Sequence, residues 1–214
     1  MLARIMKRLF SDGFSTPLPL KRQKHHTATA ATTERIQDEG IENIVEAQLE
    51  NLKNPDPKLR LEAADSLQYT PSKKVIYALG EASSFDPDPH VRARAVWSLD
   101  QIADESVIPL IIRALKDSSA AVRSTAAEAL SNFSLTIYLP AASFVQAIDP
   151  LIEALKDEDR HVRSKAIRSL WWLRNHHGKK DDNYGKITKA LLYASLNDPD
   201  GVNSLSAKDN LELR

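Results

Sequence analysis

Residues 86–99 read DPDPHVRARAVWSL, and the same frame returns as NPDPKLRLEAADSL at 54–67, DSSAAVRSTAAEAL at 117–130 and DEDRHVRSKAIRSL at 157–170. In each copy an apolar anchor (Leu59, Val91, Val122, Val162) is followed at once by Arg60, Arg92, Arg123 or Arg163. Ala stands four residues after the anchor (Ala63, Ala95, Ala126, Ala166) and Leu eight after it (Leu67, Leu99, Leu130, Leu170). Positions i, i+4 and i+8 fall on one stripe of a helix. The residue at +5 is also apolar (Ala64, Val96, Ala127, Ile167), which widens the stripe into a face that must be buried. The central Ala lets a neighbouring helix approach closely.

Five residues before each anchor stands Asn54, Asp86, Asp117 or Asp157. Such side chains belong in turns, where they cap helix starts and satisfy free N–H groups. Pro55, Pro57, Pro87, Pro89 and Pro199 stop the helix that comes before. A fifth copy is read at Val202, with Asn197 at −5, Asn203 in place of Arg, Ser206 in place of Ala and Asn210 in place of Leu. The anchors are spaced 32, 31, 40 and 40 residues apart, a unit of about 31 with an insertion of about nine in each of the last two intervals.

Ahead of each anchor helix lies a second apolar stretch: 44–52, 75–82, 107–115, 148–155 and 187–196. Each unit therefore reads as helix A, a short Asp/Pro turn and helix B. Neither helix can bury its apolar face alone, so the units stack. The fifth, degenerate copy is expected to form a polar cap on the open end. Residues 36–214 are expected to form the solenoid, with residues 1–35 a separate basic segment.

The Asp-x-x-x-x-Val-Arg-x-x-Ala-x-x-x-Leu strings resemble the HEAT-repeat family, in particular the short HEAT-like repeats of phycobilisome lyases, over residues 36–214. The resemblance implies an all-α fold, a right-handed α-α superhelical solenoid of about five helix pairs with the B helices on the concave side. It also implies that each recurring Arg pairs with a turn Asp of its own or an adjacent repeat. Arg60, Arg92, Arg123 and Arg163 with Asp86, Asp117 and Asp157 would then run as a ladder along the stack. A role as a lyase-like or chaperone-like helper acting on a bilin or similar ligand is a second implication.

On the concave side the solvent positions are expected at +2, +3, +6 and +10. They place Glu62, Arg94, Thr125 and Lys165 at +3, Asp65, Trp97, Glu128 and Arg168 at +6, and Tyr69 and Trp172 at +10, with Trp171 beside the core at +9. Trp, Tyr and Arg are the side chains most enriched at binding hot spots. The first insertion, 131–147, is too apolar for a free loop and is expected to extend helix B or pack on the core, with a break at Pro140. The second, 174–186, is polar and expected to be an exposed edge loop, offering His176, His177, Lys179, Lys180 and Tyr184 to a partner.

Bulk properties narrow the function. Formal net charge is zero, but it is a sum of unequal parts. Residues 1–33 carry Arg4, Lys7, Arg8, Lys21, Arg22 and Lys24 against Asp12 alone, a net +5, and the remainder is net −5. An acidic body gives no strong nucleic-acid signal, and HEAT-like DNA glycosylases, whose grooves are strongly basic, are a poor match. There is no cysteine, which excludes thiolate metal sites and cysteine nucleophiles. His176 and His177 beside Asp181 and Asp182 do not make a metal site, since adjacent loop residues seldom converge on one ion. No His-Glu dipeptide of the HEAT-like deoxyhypusine hydroxylases occurs, and no phosphate loop or nucleophile elbow. No apolar run reaches transmembrane length. The reading is a cytoplasmic, monomeric, non-enzymatic scaffold or adaptor with no catalytic residue, metal or cofactor, the basic N-terminal segment leaving organelle or nuclear targeting open. It is expected to bind another protein or peptide segment through the concave face and the 174–186 edge.

Overall fold

The computed structural model describes residues 40–132, 141–176 and 181–212. Among them are ten α-helices and no strand. They fall into five A/B pairs: α1 (40–51) with α2 (Pro57–Leu67), α3 (Lys73–Phe85) with α4 (Pro89–Ile102), and α5 (Ile108–Ala114) with α6 (Ala120–Asn132). The last two are α7 (Val145–Ala154) with α8 (Arg160–His176) and α9 (Asp182–Asn197) with α10 (Gly201–Glu212). Short 3-10 turns, Glu105–Val107 and Ala141–Phe144, lead into α5 and α7. This is the all-α, HEAT-type solenoid expected from the repeat.

The periodic residues do what their spacing requires. Ala63, Ala95, Ala126 and Ala166 are fully buried, as are the four residues at +5. Leu99, Leu130 and Leu170 are equally buried and Leu67 nearly so. The position at +7 is also small and closed to solvent in Ser98, Ala129 and Ser169, and Ser169 Oγ donates to the Ala127 carbonyl of the preceding B helix at 2.6 Å. With small residues at +4 and +7, the B helices pack neighbour to neighbour as one layer, while successive A helices meet over much less of their length. A stack whose elements lie closer on one side curves toward that side, so the B layer is the inner one.

The turns between A and B are tied by one repeated arrangement. Arg60 donates Nε and Nη2 to Asp86 at 2.7 and 2.9 Å, Arg92 to Asp117 at 2.7 and 2.8 Å, Arg123 to Asp157 at 2.7 and 2.9 Å, and Arg163 to Asp198 at 2.9 and 3.2 Å. The pairing runs forward, to the turn of the next repeat. Nη1 of each Arg donates back to two carbonyls of its own turn, as Arg123 does to Asp117 at 2.9 Å and Ser118 at 3.1 Å. Each turn Asp also accepts the N–H two residues on. The helix cap is a different residue from the ladder Asp: Asp56, Asp88, Asp159 and Asp200, two positions later, accept the first free N–H groups of α2, α4, α8 and α10. The hydrogen bond that Arg60 donates to Asp86, reinforced by the carboxylate charge, raises the Arg60 pKa against the cost of burial. Burial alone would raise the Asp117 and Asp157 carboxyls, but the Arg92 and Arg123 hydrogen bonds and the turn N–H groups outweigh it and hold both below their ordinary value.

Asp198 overturns the sequence register of the fifth repeat. The ladder acceptor there is Asp198, not Asn197, so the anchor is Asn203 rather than Val202. The Ser204 N–H bonds to the Asp200 carbonyl just as the Arg163 N–H bonds to that of Asp159, which puts Ser204 in the Arg position. Shifted by one, the repeat keeps Ala207 at +4, fully buried, and Leu211 at +8, packed on the core. The copy is less degenerate than it reads, because a polar anchor hides its register. Asn203 is itself buried and donates to the Arg160 carbonyl at 2.9 Å.

The first insertion packs on the core through fully buried Phe144; Phe133 to Pro140 lie outside the described residues, as do residues 1–39. The second insertion is not a long loop. Helix α8 continues to His176, and Asp181 caps α9 by accepting the Asn183 N–H at 2.7 Å. Arg174, expected at the start of an exposed loop, is buried and donates to Thr188 Oγ1, the Asn210 carbonyl and the Tyr184 hydroxyl at 2.9–3.0 Å. It pins α8, α9 and α10 together.

Two stability predictions follow from this geometry. Arg123→Ala leaves Asp157 without its bidentate partner and should cost about 3 kcal/mol, a fall in Tm of roughly 6–12 °C for a chain of this size, read by thermal denaturation. Because the Asp117 and Asp157 carboxyls are depressed, their contribution is complete above the ordinary Asp pKa of about 4 and is lost as pH falls through the lower folded values. Wild type should therefore lose Tm steeply below about pH 4, and Arg123→Ala less so. Separately, Ala103 ends α4 at φ 53°, a left-handed conformation that strains any side chain with a Cβ. Ala103→Gly should raise stability by up to about 1 kcal/mol.

Candidate functional site

The inner layer presents its +2, +3 and +6 residues outward. Asp65 on α2 meets Arg94 on α4 at 3.1 Å. Further along, Glu128 on α6 receives Lys165 at 2.7 Å and Arg168 at 2.8 Å from α8, and Arg168 also reaches Ser131 Oγ at 3.1 Å. Burial alone would raise the Glu128 carboxyl, yet the two cations outweigh it and hold it below its ordinary value. The charges at +3 and +6 thus cross-link neighbouring B helices. The face is not a free acidic end passing to a free basic end, as the bare order of residues suggests, because each carboxylate at +6 is answered by a cation of the next repeat.

Between these two charge clusters sits Trp97, half-buried, in a shallow concavity of about 410 Å³ shared with Leu61, His90, Ala93, Arg94 and Thr125. Three B helices contribute. Leu61 comes from α2, Trp97 from α4 and Thr125 from α6, and the small Ala93 and Thr125 leave the ring uncovered. Trp97 thus offers a partly exposed aromatic ring on the inner face.

The other candidates are placed differently. Tyr69 is half-buried in the turn after α2, beside Ile41, Val45, Thr70 and Ser72, on the edge where B helices lead into A helices. Trp172 is a core residue. Its ring meets Phe144 edge-on at 6.0 Å and stacks on His176 at 3.8 Å. Gln101, at the same offset in α4, is exposed, whereas Trp172 is covered because the segment leading into α7 brings Phe144 onto it. Trp171 is half-buried against the core. Arg168 and His176 are exposed, and His176 Nδ1 lies 2.9 Å from the Trp172 carbonyl. Tyr184 is half-buried beneath the Arg174 guanidinium, 4.8 Å from its ring centre. His177, Lys179 and Lys180 lie outside the described residues. Arg174 gave no sequence signal, since a charged residue after a hydrophobic run reads as the start of a loop.

Among the described residues no group of three or more His, Asp or Glu is placed to hold a metal ion, and no helix is long and apolar enough to cross a membrane.

A family model described as HEAT repeats matches residues 45–131 and 81–145. No curated relative matches the sequence. Among solved structures, the complex of CpcE and CpcF of phycocyanin lyase from Nostoc sp. PCC7120 is similar at 20% identity and a TM-score of 0.59, over 78% of this chain and 96% of that one. A designed armadillo repeat protein in complex with the peptide (KR)4 is similar at 19% identity and a TM-score of 0.56, over 84% and 86% of the two chains. An engineered protein, target OR366, is similar at 21% identity and a TM-score of 0.58, over 87% and 86%. At these identities the structural likeness speaks to fold. The family match shows HEAT repeats over residues 45–145, and the five helix pairs and the Arg–Asp ladder carry the same architecture through the described residues to 212.

Proposed function

We propose that the protein is a non-enzymatic interaction scaffold that takes a segment of another protein along its inner face, with Trp97 as the anchor. The open Trp97 concavity between two satisfied charge clusters carries this reading. A partly uncovered indole flanked by Leu61 and Ala93 offers apolar contact at low entropic cost, and the surrounding ion pairs supply a polar rim. Because Asp65 and Glu128 already hold cations, the face suits an apolar side chain flanked by polar backbone better than a run of lysines and arginines. Arg168 and His176, both exposed on α8, are with residues 181–186 the second contact we assign to the partner.

A second reading, a lyase-like or chaperone-like helper acting on a bilin or similar ligand, draws on the structural likeness to the CpcE–CpcF complex. It would show as visible absorbance copurifying with the protein from its native host.

Affinity capture from the native host with quantitative mass spectrometry tests the scaffold reading. Trp97→Ala should reduce capture of the specific partner by at least about tenfold with an unchanged helical spectrum, while Tyr77→Ala, on the outer A-helix layer, should retain it. A correctly folded Trp97→Ala protein that captures the partner as wild type does would refute the inner-face assignment.

A further inference from the structure

A groove of about 770 Å³ lies between α1 and α3 on the outer, A-helix layer. Tyr77, Glu81 and Phe85 stand at i, i+4 and i+8 of α3 and form one wall. Tyr77 is 70% and Phe85 71% exposed, so two aromatic rings lie uncovered two helical turns apart. The floor is apolar, made by half-buried Ala78 and Ala82 with Leu49 and Leu52 of α1 and its turn. The far wall is acidic. Glu42, Glu46 and Glu50 repeat every fourth residue along α1, all exposed, and the last two line the groove. Lys74 pairs with Glu46 and Lys53 with Glu50, but all four side chains are more than half exposed, and ion pairs of that kind are weak and readily exchanged. Glu81 has no ion-pair partner among the described residues. The repeat shows that this groove is particular to its joint. In register on the turn Asp, α9 carries Lys189, Tyr193 and Asn197 where α3 carries Tyr77, Glu81 and Phe85, and the matching hollow against α7 is only about 300 Å³.

We propose that residues 16–24 of the same chain, TPLPLKRQK, occupy this groove. They lie outside the described residues, and their chemistry is what matches them to it. Pro17 and Pro19 fix φ near the polyproline value, and each biases the residue before it toward the same form. A segment of that kind binds an aromatic-lined groove at small entropic cost. Pro17, Leu18, Pro19 and Leu20 supply apolar surface for Tyr77, Phe85 and the floor. Lys21, Arg22 and Lys24 follow at once and meet Glu46, Glu50 and Glu81. The other basic stretch, Arg4, Lys7 and Arg8, has no proline beside it. Charge favours the match at longer range as well, since residues 1–33 are net +5 and the remainder net −5. The connection is long enough. Residues 25–39 can span at most about 50 Å, whereas α1, which leads from residue 40 to the groove, is about 18 Å long. Joined in this way, the segment meets the groove at an effective concentration of about 1 mM. A Kd near 100 µM then leaves it seated roughly ten times as often as free. While seated, its cations are withheld from outside partners. The inner face and Trp97 take no part, so this assignment and the scaffold reading stand or fall separately.

Zero-length carbodiimide crosslinking of the full wild-type chain, read by peptide mass spectrometry, tests this. Lys21 or Lys24 should be joined to Glu46, Glu50 or Glu81 within the monomer. Tyr77→Ser/Phe85→Ser removes the aromatic wall and leaves every carboxylate in place. It should cut that yield at least about fivefold with an unchanged helical spectrum, since both rings are already largely exposed. Limited trypsin digestion gives an independent reading. Cleavage after Lys21, Arg22 and Lys24 should run about tenfold slower in wild type than in the double variant, while cleavage after Arg4, Lys7 and Arg8 is the same in both. Pro17→Gly/Pro19→Gly keeps all the charges and should release the segment as the groove variant does. Links found only in a crosslinked dimer overturn the own-chain assignment and give the groove to the segment of a second copy. Links from these lysines to Asp65 or Glu128 instead, no link to the three groove carboxylates, or cleavage equally fast in wild type and both variants overturns the groove as the site.

Discussion

A solenoid holds its shape only as well as each joint between neighbours, and here each internal joint is set by one guanidinium. The Arg after the anchor begins helix B of its own repeat, binds two carbonyls of its own turn through Nη1, and grips the turn Asp of the next repeat through Nε and Nη2. Because a guanidinium is planar and rigid, fixing one side of it fixes the other. The turn Asp is in turn held by the N–H two residues on, which shapes the turn that delivers the next cap. Backbone conformation, helix start and relative placement of successive repeats are thereby coupled at a single point. The charges are closed off from water, so a half-rung would be costly. At the two ends of the described ladder the corresponding positions are neutral, Asn54 in place of the turn Asp and Ser204 in place of the Arg.

The same coupling explains what could be read from the sequence. Anchor, Arg, Ala and Leu at fixed offsets are a period, and a period survives without knowledge of the structure, so helix pairs, stacking and the ladder are legible in residues 54–170. The pairing direction is less so, since Arg92 stands six residues from Asp86 and twenty-five from Asp117, and spacing favours neither. The fifth repeat was misread by one residue because Val202 looks like an anchor and Asn203 does not. Only the main-chain bond from Ser204 to Asp200 fixes the frame. Where the period is interrupted, the sequence says less. Arg174 reads as the start of a loop and is in fact a buried pin between three helices, because its partners Thr188, Tyr184 and the Asn210 carbonyl are brought together only by the fold.

The candidate surface shows the same division. A residue's place on a helix follows from its offset, but its exposure depends on what the neighbouring repeats put beside it. Trp97 and Trp172 both sit at positions expected to face solvent. Trp97 stays uncovered because its neighbours at +2 and +3 are Ala93 and Thr125. Trp172 is buried because the insertion at 131–147 supplies Phe144. Equally, acidic and basic residues at +3 and +6 look like a gradient when listed along the chain, yet Asp65–Arg94 and Glu128–Lys165–Arg168 neutralise one another across adjacent helices. Between these pairs the Trp97 ring remains partly open on the inner face.

The inner face is made by repetition, since equivalent positions of successive B helices line up and a partner segment can be read along them. The specificity we propose for it rests on the one place where a large ring, Trp97, breaks the pattern of small residues.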